Sequence, residues 1–205
     1  MVAIRRLLLL VVPCLPALGC GQDETSSHGV KAMGLRTERM NYYASAQQAS
    51  NWCWAACIQM ILSAHDVTIS QQEIVATAFG DVVNRPGQLQ NIQAVLNTTW
   101  VDRRGAAKRV TATPRPGPPQ VRELTELLRS ETPVIVCYQP DDATVGHAVI
   151  VTAVITEATA HGEHLVRLVV RDPWPDFRDS LGKRTMLPSE FQTIWAYYVV
   201  TVGEP

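Results

Sequence analysis

The order of the segments along the chain predicts an α+β fold, with a helical N-terminal half packed on an antiparallel β-sheet in the C-terminal half. The first half has apolar residues at helical spacing, most clearly from Trp54 to Leu62. The second half has short runs rich in valine and isoleucine, which are typical of strands. Between them lies PRPGPP, residues 114–119, which we expect to join two lobes of one domain.

The first twenty residues have the features of an export signal. Arg5 and Arg6 precede an apolar run, Leu7–Val12, and small residues follow near Gly19 and Cys20. The apolar run is too short to span a bilayer. Two kinds of processing fit this segment: lipidation of Cys20, as in bacterial lipoproteins, which we favour, and simple cleavage after Gly19. Either one predicts an exported protein, attached to the bacterial cell envelope through a lipidated Cys20 or secreted.

Residues 21–38 are predicted to be a flexible tether, because no large apolar residue precedes Val30. Residues 39–205 then form one domain, which is long enough to bury a core. Without Arg5 and Arg6 the chain has 16 basic and 19 acidic residues, a net charge of −3. This balance does not indicate a nucleic-acid partner, and the basic residues within 103–109 are expected to lie on a solvated loop.

The first predicted helix begins in QQASNWCWAAC, residues 47–57. Its apolar residues follow the i, i+3, i+4, i+7, i+8 pattern of a half-buried helix and are Trp54, Cys57, Ile58, Ile61 and Leu62. Ser50 or Asn51 is the expected N-cap, which places Cys53 in the first turn. The helix dipole and the unpaired N–H groups favour a thiolate there. Cys53 is therefore the candidate nucleophile.

Three further helices are predicted from capping and apolar spacing. Ser70 and Glu73 have the spacing of a capping box, and the helix that they begin runs toward Phe79 and ends at Gly80. The other two have apolar residues on one face and span Leu89–Leu96 and Gln120–Arg129. A short helical turn is expected at residues 188–192.

Four strands are predicted in the second half from their content of valine and isoleucine. They are Val134–Tyr138, Ala148–Ile155, Leu165–Arg171 and Tyr197–Val202. A further strand is expected at residues 110–112.

A histidine and an acid flank the middle two of these strands. If the hairpin turns near residues 159 and 160, positions that sum to 319 face each other, so His147 faces Asp172. A carboxylate in that place orients the imidazole. Asp176 and Asp179 are alternative acids nearby. A cysteine, a histidine and an orienting acid are the components of a nucleophilic triad.

These motifs resemble those of the papain-like cysteine peptidases, and within that clan the bacterial AvrRpt2-type and C39-like branches. The resemblance covers roughly Tyr42 to Val200 and is carried by QxxxxxCWAA, Gly146-His147-Ala148 and Asp172-Pro173-Trp174. It implies a papain-like fold and hydrolysis of a peptide or protein substrate without a metal or organic cofactor. Papain has asparagine as its orienting residue, whereas the bacterial branches have aspartate.

The resemblance also implies a role for each matching residue. Cys53 attacks the substrate, His147 is the base, Asp172 orients the histidine, and Gln47 lines the oxyanion hole. Two other functions fit the same residues: a transglutaminase-type acyl transfer to an amine, and a catalytically silent papain-like binding module. We favour the peptidase over the silent module because all four residue types are present. Processing of one partner, such as a leader peptide or a wall-linked peptide, is a narrower form of the same activity.

The remaining cysteines leave two alternatives open. Cys14 belongs to the predicted signal, and Cys53 must stay free to react. Cys57 and Cys137 could form a disulfide in an exported protein, or they could be two buried thiols. Cys53 and Cys57 lie one helical turn apart, but no second pair at finger spacing accompanies them, so we reject a zinc site.

Overall fold

The computed structural model describes residues 29–140, 143–160 and 162–205. The predicted signal peptide, Cys20 and residues 21–28 of the predicted tether lie outside the described residues. Within the described ranges, none of the helices has both the length and the apolar content needed to cross a membrane.

The described residues form six α-helices, one 3₁₀ helix at Pro175–Ser180 and eight β-strands. The α-helices are α1 (Thr37–Tyr42), α2 (Cys53–Ala64), α3 (Gln71–Phe79), α4 (Leu89–Leu96), α5 (Val121–Arg129) and α6 (Pro188–Gln192). The strands are β1 (Val30–Gly34), β2 (Thr99–Val101), β3 (Ala107–Pro116), β4 (Val134–Tyr138), β5 (His147–Thr159), β6 (Gly162–Arg171), β7 (Lys183–Met186) and β8 (Ile194–Gly203).

The strands form one antiparallel sheet in the order β2-β3-β8-β4-β5-β6-β7. Strand β5 has 13 residues, so it pairs with β4 along its first part and with β1 along its second. Alternate residues of each strand enter two cores, as the pleat requires: Ile135 packs with α2–α4, and Val134 packs with α5 and α6. The predicted α+β fold, with helices N-terminal and the sheet C-terminal, is confirmed.

Helix α2 is the centre of the core on one face of the sheet. Nine of its twelve residues are buried, from Cys53 to Leu62 with the exception of Gln59. This burial is wider than the predicted stripe, because α3 and α4 cover the side of α2 that does not face β5. The start of α2 is thereby held rigidly against the sheet.

Most of the predicted elements are confirmed. Helix α3 has the capping box of Ser70 and Glu73 and ends at Gly80, whose φ of 77° is left-handed. Helix α4 and strand β4 have the predicted bounds, and α5 begins one residue later than predicted. The other predicted strands are each extended by one or more residues.

The predicted tether is wrong from residue 30 onward. Val30–Gly34 form β1, which pairs with β5, and α1 follows at Thr37. The strand was missed because its side chains are almost all exposed, and backbone pairing rather than apolar burial holds it. Gly34 is required there, since a Cβ on it would lie 2.6 Å from the Thr152 carbonyl oxygen.

The proline-rich stretch is also different from the expected connection. Strand β3 continues through Pro114 to Pro116 and pairs there with β8. On the other side of β3, β2 pairs only as far as Arg109. The prolines therefore lie on an open edge, where the missing N–H breaks no ladder.

Candidate active site

A cavity of about 740 Å³ lies at the end of the sheet, where the start of α2 approaches the ends of β4 and β5. Its walls include Cys53, His147 and Asp172, so the structure brings three of the four predicted catalytic residues to one place. Trp174 and Trp195 also line it, and each is about two-fifths exposed. Apolar side chains form most of the remaining wall.

Cys53 is the first residue of α2 and is 8% exposed. The predicted cap is wrong, because the N-cap is Trp52 and its side chain makes no hydrogen bond to the helix. The Asn51 N–H donates to the Asn84 side chain, and the Asn84 amide donates to Ser50 Oγ, both at 3.0 Å. The first-turn N–H groups of α2 are therefore left without a side-chain cap, a setting that favours an anion.

His147 and Asp172 are in direct contact, with His147 Nε2 2.7 Å from Asp172 Oδ1. The same carboxylate oxygen accepts from the Trp174 N–H at 3.0 Å. Cys53 lines the same cavity as His147 and contributes to the raised pKa of His147. Because Nε2 contacts the carboxylate, Nδ1 is the ring nitrogen that remains available to the thiol. The Trp174 ring lies edge-on to the imidazole, 6.2 Å between centroids.

The register that predicted this contact is wrong by two residues. In the structure Val151 faces Val170 and Glu157 faces His164, so paired positions sum to 321 rather than 319 over these stretches. Irregularities after Val151 and Ile155 shift the pairing locally. A shift of two leaves every side chain on the same face of the sheet. His147 and Asp172 consequently still meet, as diagonal neighbours at the strand ends.

The charges at this contact favour an imidazolium. Burial lowers the pKa of His147, but hydrogen bonds to Asp172 and Cys53 outweigh it and raise that pKa to about 9. Burial also raises the pKa of Asp172, and its hydrogen bonds to His147, Arg184 and the Trp174 N–H outweigh this and lower it. At neutral pH an imidazolium beside a carboxylate is therefore favoured at this contact.

Sequence reasoning missed Arg184, Tyr138 and Glu190, which also line the cavity. Arg184 Nε donates to Asp172 Oδ2 at 2.7 Å, and its other nitrogens donate to Glu190 and to the Tyr138 hydroxyl. Tyr138 was detectable, because it ends a predicted strand and pairs with His147 across it. Arg184 lies on β7, a four-residue edge strand with little periodic signal.

Gln47 lies beside this site, but its side chain is turned into its own loop. Its Nε2 donates to the carbonyls of Ala49 and Ser50 at 3.0 and 2.9 Å, and its N–H donates to the Pro173 carbonyl at 2.8 Å. The side chain is buried, and its Oε1 has no partner among the described residues. Gln47 lines a smaller groove of about 290 Å³ that it shares with Trp174.

A buried cluster of amide and hydroxyl groups holds the loop that carries Gln47. Gln71 is fully buried, and its Nε2 donates to the Ala46 carbonyl at 2.9 Å and to Gln59 Oε1 at 3.0 Å. Its Oε1 accepts from the Gln48 N–H at 2.9 Å. Ser45 Oγ donates to Gln59 Oε1 at 2.9 Å. Each of these contacts is between uncharged groups.

Cys57 and Cys137 are free, buried thiols, so the structure has the second of the two predicted alternatives rather than the disulfide. Cys57 Sγ is 3.4 Å from the Ala148 carbonyl oxygen, to which it donates. Burial raises the pKa of Cys57 well above its ordinary value and that of Cys137 to about 12. Both thiols therefore stay protonated at neutral pH. Within the described ranges, no three His, Cys, Asp or Glu side chains are grouped to hold a metal ion.

Comparison with known proteins shows the fold and the family of this chain. The chain is similar in fold to the peptidase domain of Streptococcus ComA, a bifunctional ABC transporter involved in quorum sensing, with 13% identity, a TM-score of 0.54, and coverage of 78% of this chain and 97% of that one. It is also similar to digestive procathepsin L2 from the larval midgut of Tenebrio molitor, with 15% identity, a TM-score of 0.59, and coverage of 83% and 67%.

At these identities the two similarities show the fold alone. A comparison with curated proteins finds no match. The family model for the papain-like cysteine protease AvrRpt2 matches residues 36–188, which is more than half of the 205-residue chain. The chain therefore belongs to the AvrRpt2 family of papain-like cysteine proteases.

Proposed function

We propose that the protein hydrolyses peptide bonds through Cys53, His147 and Asp172. The observation that carries the proposal is the position of His147, with Asp172 Oδ1 2.7 Å from one ring nitrogen and Cys53 in the wall of the same cavity. A nucleophile, its base and a group that orients the base thus line one open cavity, and the base is in direct contact with the orienting group. Its substrate is a peptide or protein segment that enters this cavity.

Each step moves one proton through His147. The Cys53 thiolate adds to the carbonyl carbon, and as the C–N bond breaks the His147 imidazolium donates its proton to the leaving amine. His147 then takes a proton from water, whose oxygen attacks the thioester and releases the acid. Asp172 keeps the imidazole in the tautomer that has its free nitrogen toward the sulfur.

We place Gln47 and the Cys53 backbone N–H at the oxyanion. The uncapped first turn of α2 supports the backbone donor, since its N–H groups have no side-chain acceptor. For Gln47, one of the two Nε2 contacts to the Ala49 and Ser50 carbonyls must be exchanged for the oxyanion. The anchoring of Gln47 N–H to Pro173 supports its closeness to Asp172.

The test uses labelling of Cys53 by iodoacetamide together with hydrolysis of fluorescent casein. Wild-type Cys53 should react quickly at neutral pH, and His147→Ala should remove most of that reactivity. Cys53→Ala should abolish hydrolysis, while Cys57→Ala, one turn further along the same buried helix, should retain it. Gln47→Ala should fold and lose on the order of a hundredfold in turnover.

The same experiment separates the alternatives. Equal labelling of Cys53 in wild type and His147→Ala would contradict the triad and favour a silent binding module. Incorporation of a fluorescent amine into casein, in place of hydrolysis, would show acyl transfer instead. Wild-type rates in Gln47→Ala would remove Gln47 from the oxyanion hole without affecting the triad.

A further inference from the structure

We propose that Arg184 is a positioning residue for this reaction, which fixes the Asp172 carboxylate and balances its charge. The inference rests on the proposed function, because it concerns how the His147–Asp172 contact is maintained. Arg184 reaches Asp172 from β7, on the far side of the carboxylate from His147.

The two oxygens of Asp172 are held by different groups. Oδ1 accepts from His147 Nε2 at 2.7 Å and from the Trp174 N–H at 3.0 Å. Oδ2 accepts from Arg184 Nε at 2.7 Å. Rotation of the carboxylate would break both sets of bonds, so Arg184 keeps Oδ1 directed at the imidazole. The Asp172 side chain is 2% exposed, which leaves little room for water to replace the guanidinium.

Arg184 is itself held on every side. Nη1 donates to Glu190 Oε1 at 2.9 Å and to the Thr185 carbonyl at 3.1 Å, and Nη2 donates to the Tyr138 hydroxyl. Its guanidinium also lies 5.7 Å from the centre of the Tyr138 ring and 5.8 Å from that of Phe177. A planar fork with this many partners has one orientation, which lysine cannot reproduce.

Arg184 also sets the charge balance of the site. The titratable and charged groups that face Asp172 and Arg184 come from α2, β4, β5, β7 and α6, and are Cys53, Cys57, Tyr138, His147, Arg184 and Glu190. If Cys53 is a thiolate, the cations of this set are His147 and Arg184. They balance three anions, which are Cys53, Asp172 and Glu190. Loss of the guanidinium would therefore make each proton in this coupled set bind more tightly.

The test is the pH dependence of iodoacetamide labelling of Cys53 and of casein hydrolysis in Arg184→Met and Arg184→Lys. Arg184→Met should shift both the acid limb and the alkaline limb of the pH profile to higher pH by roughly half a unit or more. The loss of a nearby cation raises the pKa values of the groups that titrate there. Arg184→Lys should leave the limbs in place, since it keeps the charge, but should lower the maximal rate about tenfold because the fork is lost.

Arg115→Met is the matched control. Arg115 also binds a carboxylate, Glu123, and lies 5.8 Å from the centre of a tyrosine ring, Tyr197, but it is outside the cavity. It should change neither the limbs nor the rate. Unshifted limbs in folded Arg184→Met, or a wild-type rate in Arg184→Lys, would overturn the inference. If Arg184→Met does not fold, Arg184→Lys decides alone.

Failure of this inference and failure of the proposed function give different results in the experiment. If Cys53 labelling depends on His147 but the Arg184 variants behave like wild type, the role of Arg184 is contradicted and the triad is not. If Cys53 labelling does not depend on His147, the triad itself is contradicted.

Discussion

The two sides of the cleft are held in place by different kinds of interaction. On the helical side, Cys53 begins a helix that is buried among apolar residues, and the preceding loop is held by uncharged groups centred on Gln71. On the sheet side, His147 is held by Asp172, and Asp172 by Arg184, so the contacts are between charges. The nucleophile thus sits in a framework without formal charge and its base in a framework of ion pairs.

This difference has an energetic meaning. Buried uncharged hydrogen bonds contribute the same free energy at every pH at which the protein is folded, and leaving one partner unpaired costs about 1–3 kcal/mol. Contacts between titrating groups contribute a free energy that changes with pH. The helical side should therefore respond to mutation but not to pH, and the sheet side to both.

The largest expected effect is on the uncharged side. Gln71→Met removes the partner of the Gln48 N–H and one donor each from the Ala46 carbonyl and Gln59 Oε1, all in partly buried contacts. We expect a loss of about 3 kcal/mol in the free energy of unfolding, measured with urea. The pH limbs of Cys53 labelling should not move. Gln72→Met, at the exposed neighbouring position, is the control. A loss below about 1 kcal/mol in the free energy of unfolding, or a shift in the pH limbs of Cys53 labelling, would contradict the proposed difference between the two sides.

The next effect concerns the charged side. The pKa of His147 in the folded state, about 9, lies above its ordinary value of 6.5, so the folded protein binds this proton more tightly. Its contribution to stability is complete below pH 6.5 and is lost as the pH rises through about 9. The difference in unfolding free energy between wild type and His147→Ala should shrink over this range, by on the order of 2 kcal/mol. A constant difference from pH 6.5 to 9 would contradict a charged His147.

The smallest expected effect is on the helical side, at a position away from the cleft. Ser70→Ala removes the cap of α3, where Ser70 Oγ accepts from the Glu73 N–H at 3.2 Å. Loss of such a cap costs about 1 kcal/mol, which thermal or urea unfolding would detect, with Gln72→Ala as control in the same turn. The labelling profile of Cys53 should stay as in wild type. A change in the acid or alkaline limb of that profile would mean that a substitution on the helical side alters the pKa values of the charged groups at the site.

The elements that sequence predicted best are those with a local cause. Helix α3 has its cap at Ser70 and its stop at Gly80, and α4 has a one-sided apolar pattern, so neither depends on distant parts of the chain. The contact of His147 with Asp172 was predicted from a register that was wrong by two. It succeeded because a strand repeats its side-chain direction every two residues, so an even error is harmless.

What sequence could not predict depends on pairing between distant segments. Strands β1 and β7 are short edge strands, with four of five side chains exposed in β1 and two of four in β7, and only their partners β5 and β6 define them. Arg184 was missed for that reason. The cap of α2 was wrong for a related reason, since Ser50 and Asn51 bind Asn84, more than thirty residues away. The turned side chain of Gln47 is likewise set by the fold of its loop.

The pairing of β1 with β5 also sets where the N-terminal chain joins the domain relative to the cleft. Val30 lies opposite Glu157, ten residues along β5 from His147, which is about 33 Å of extended chain. Any chain that precedes Val30 therefore joins the domain at the end remote from Cys53. If Cys20 carries a lipid, as the sequence predicts, the attached segment would enter the domain at the end opposite the cavity. A substrate would then reach Cys53 from the side of the domain away from that attachment.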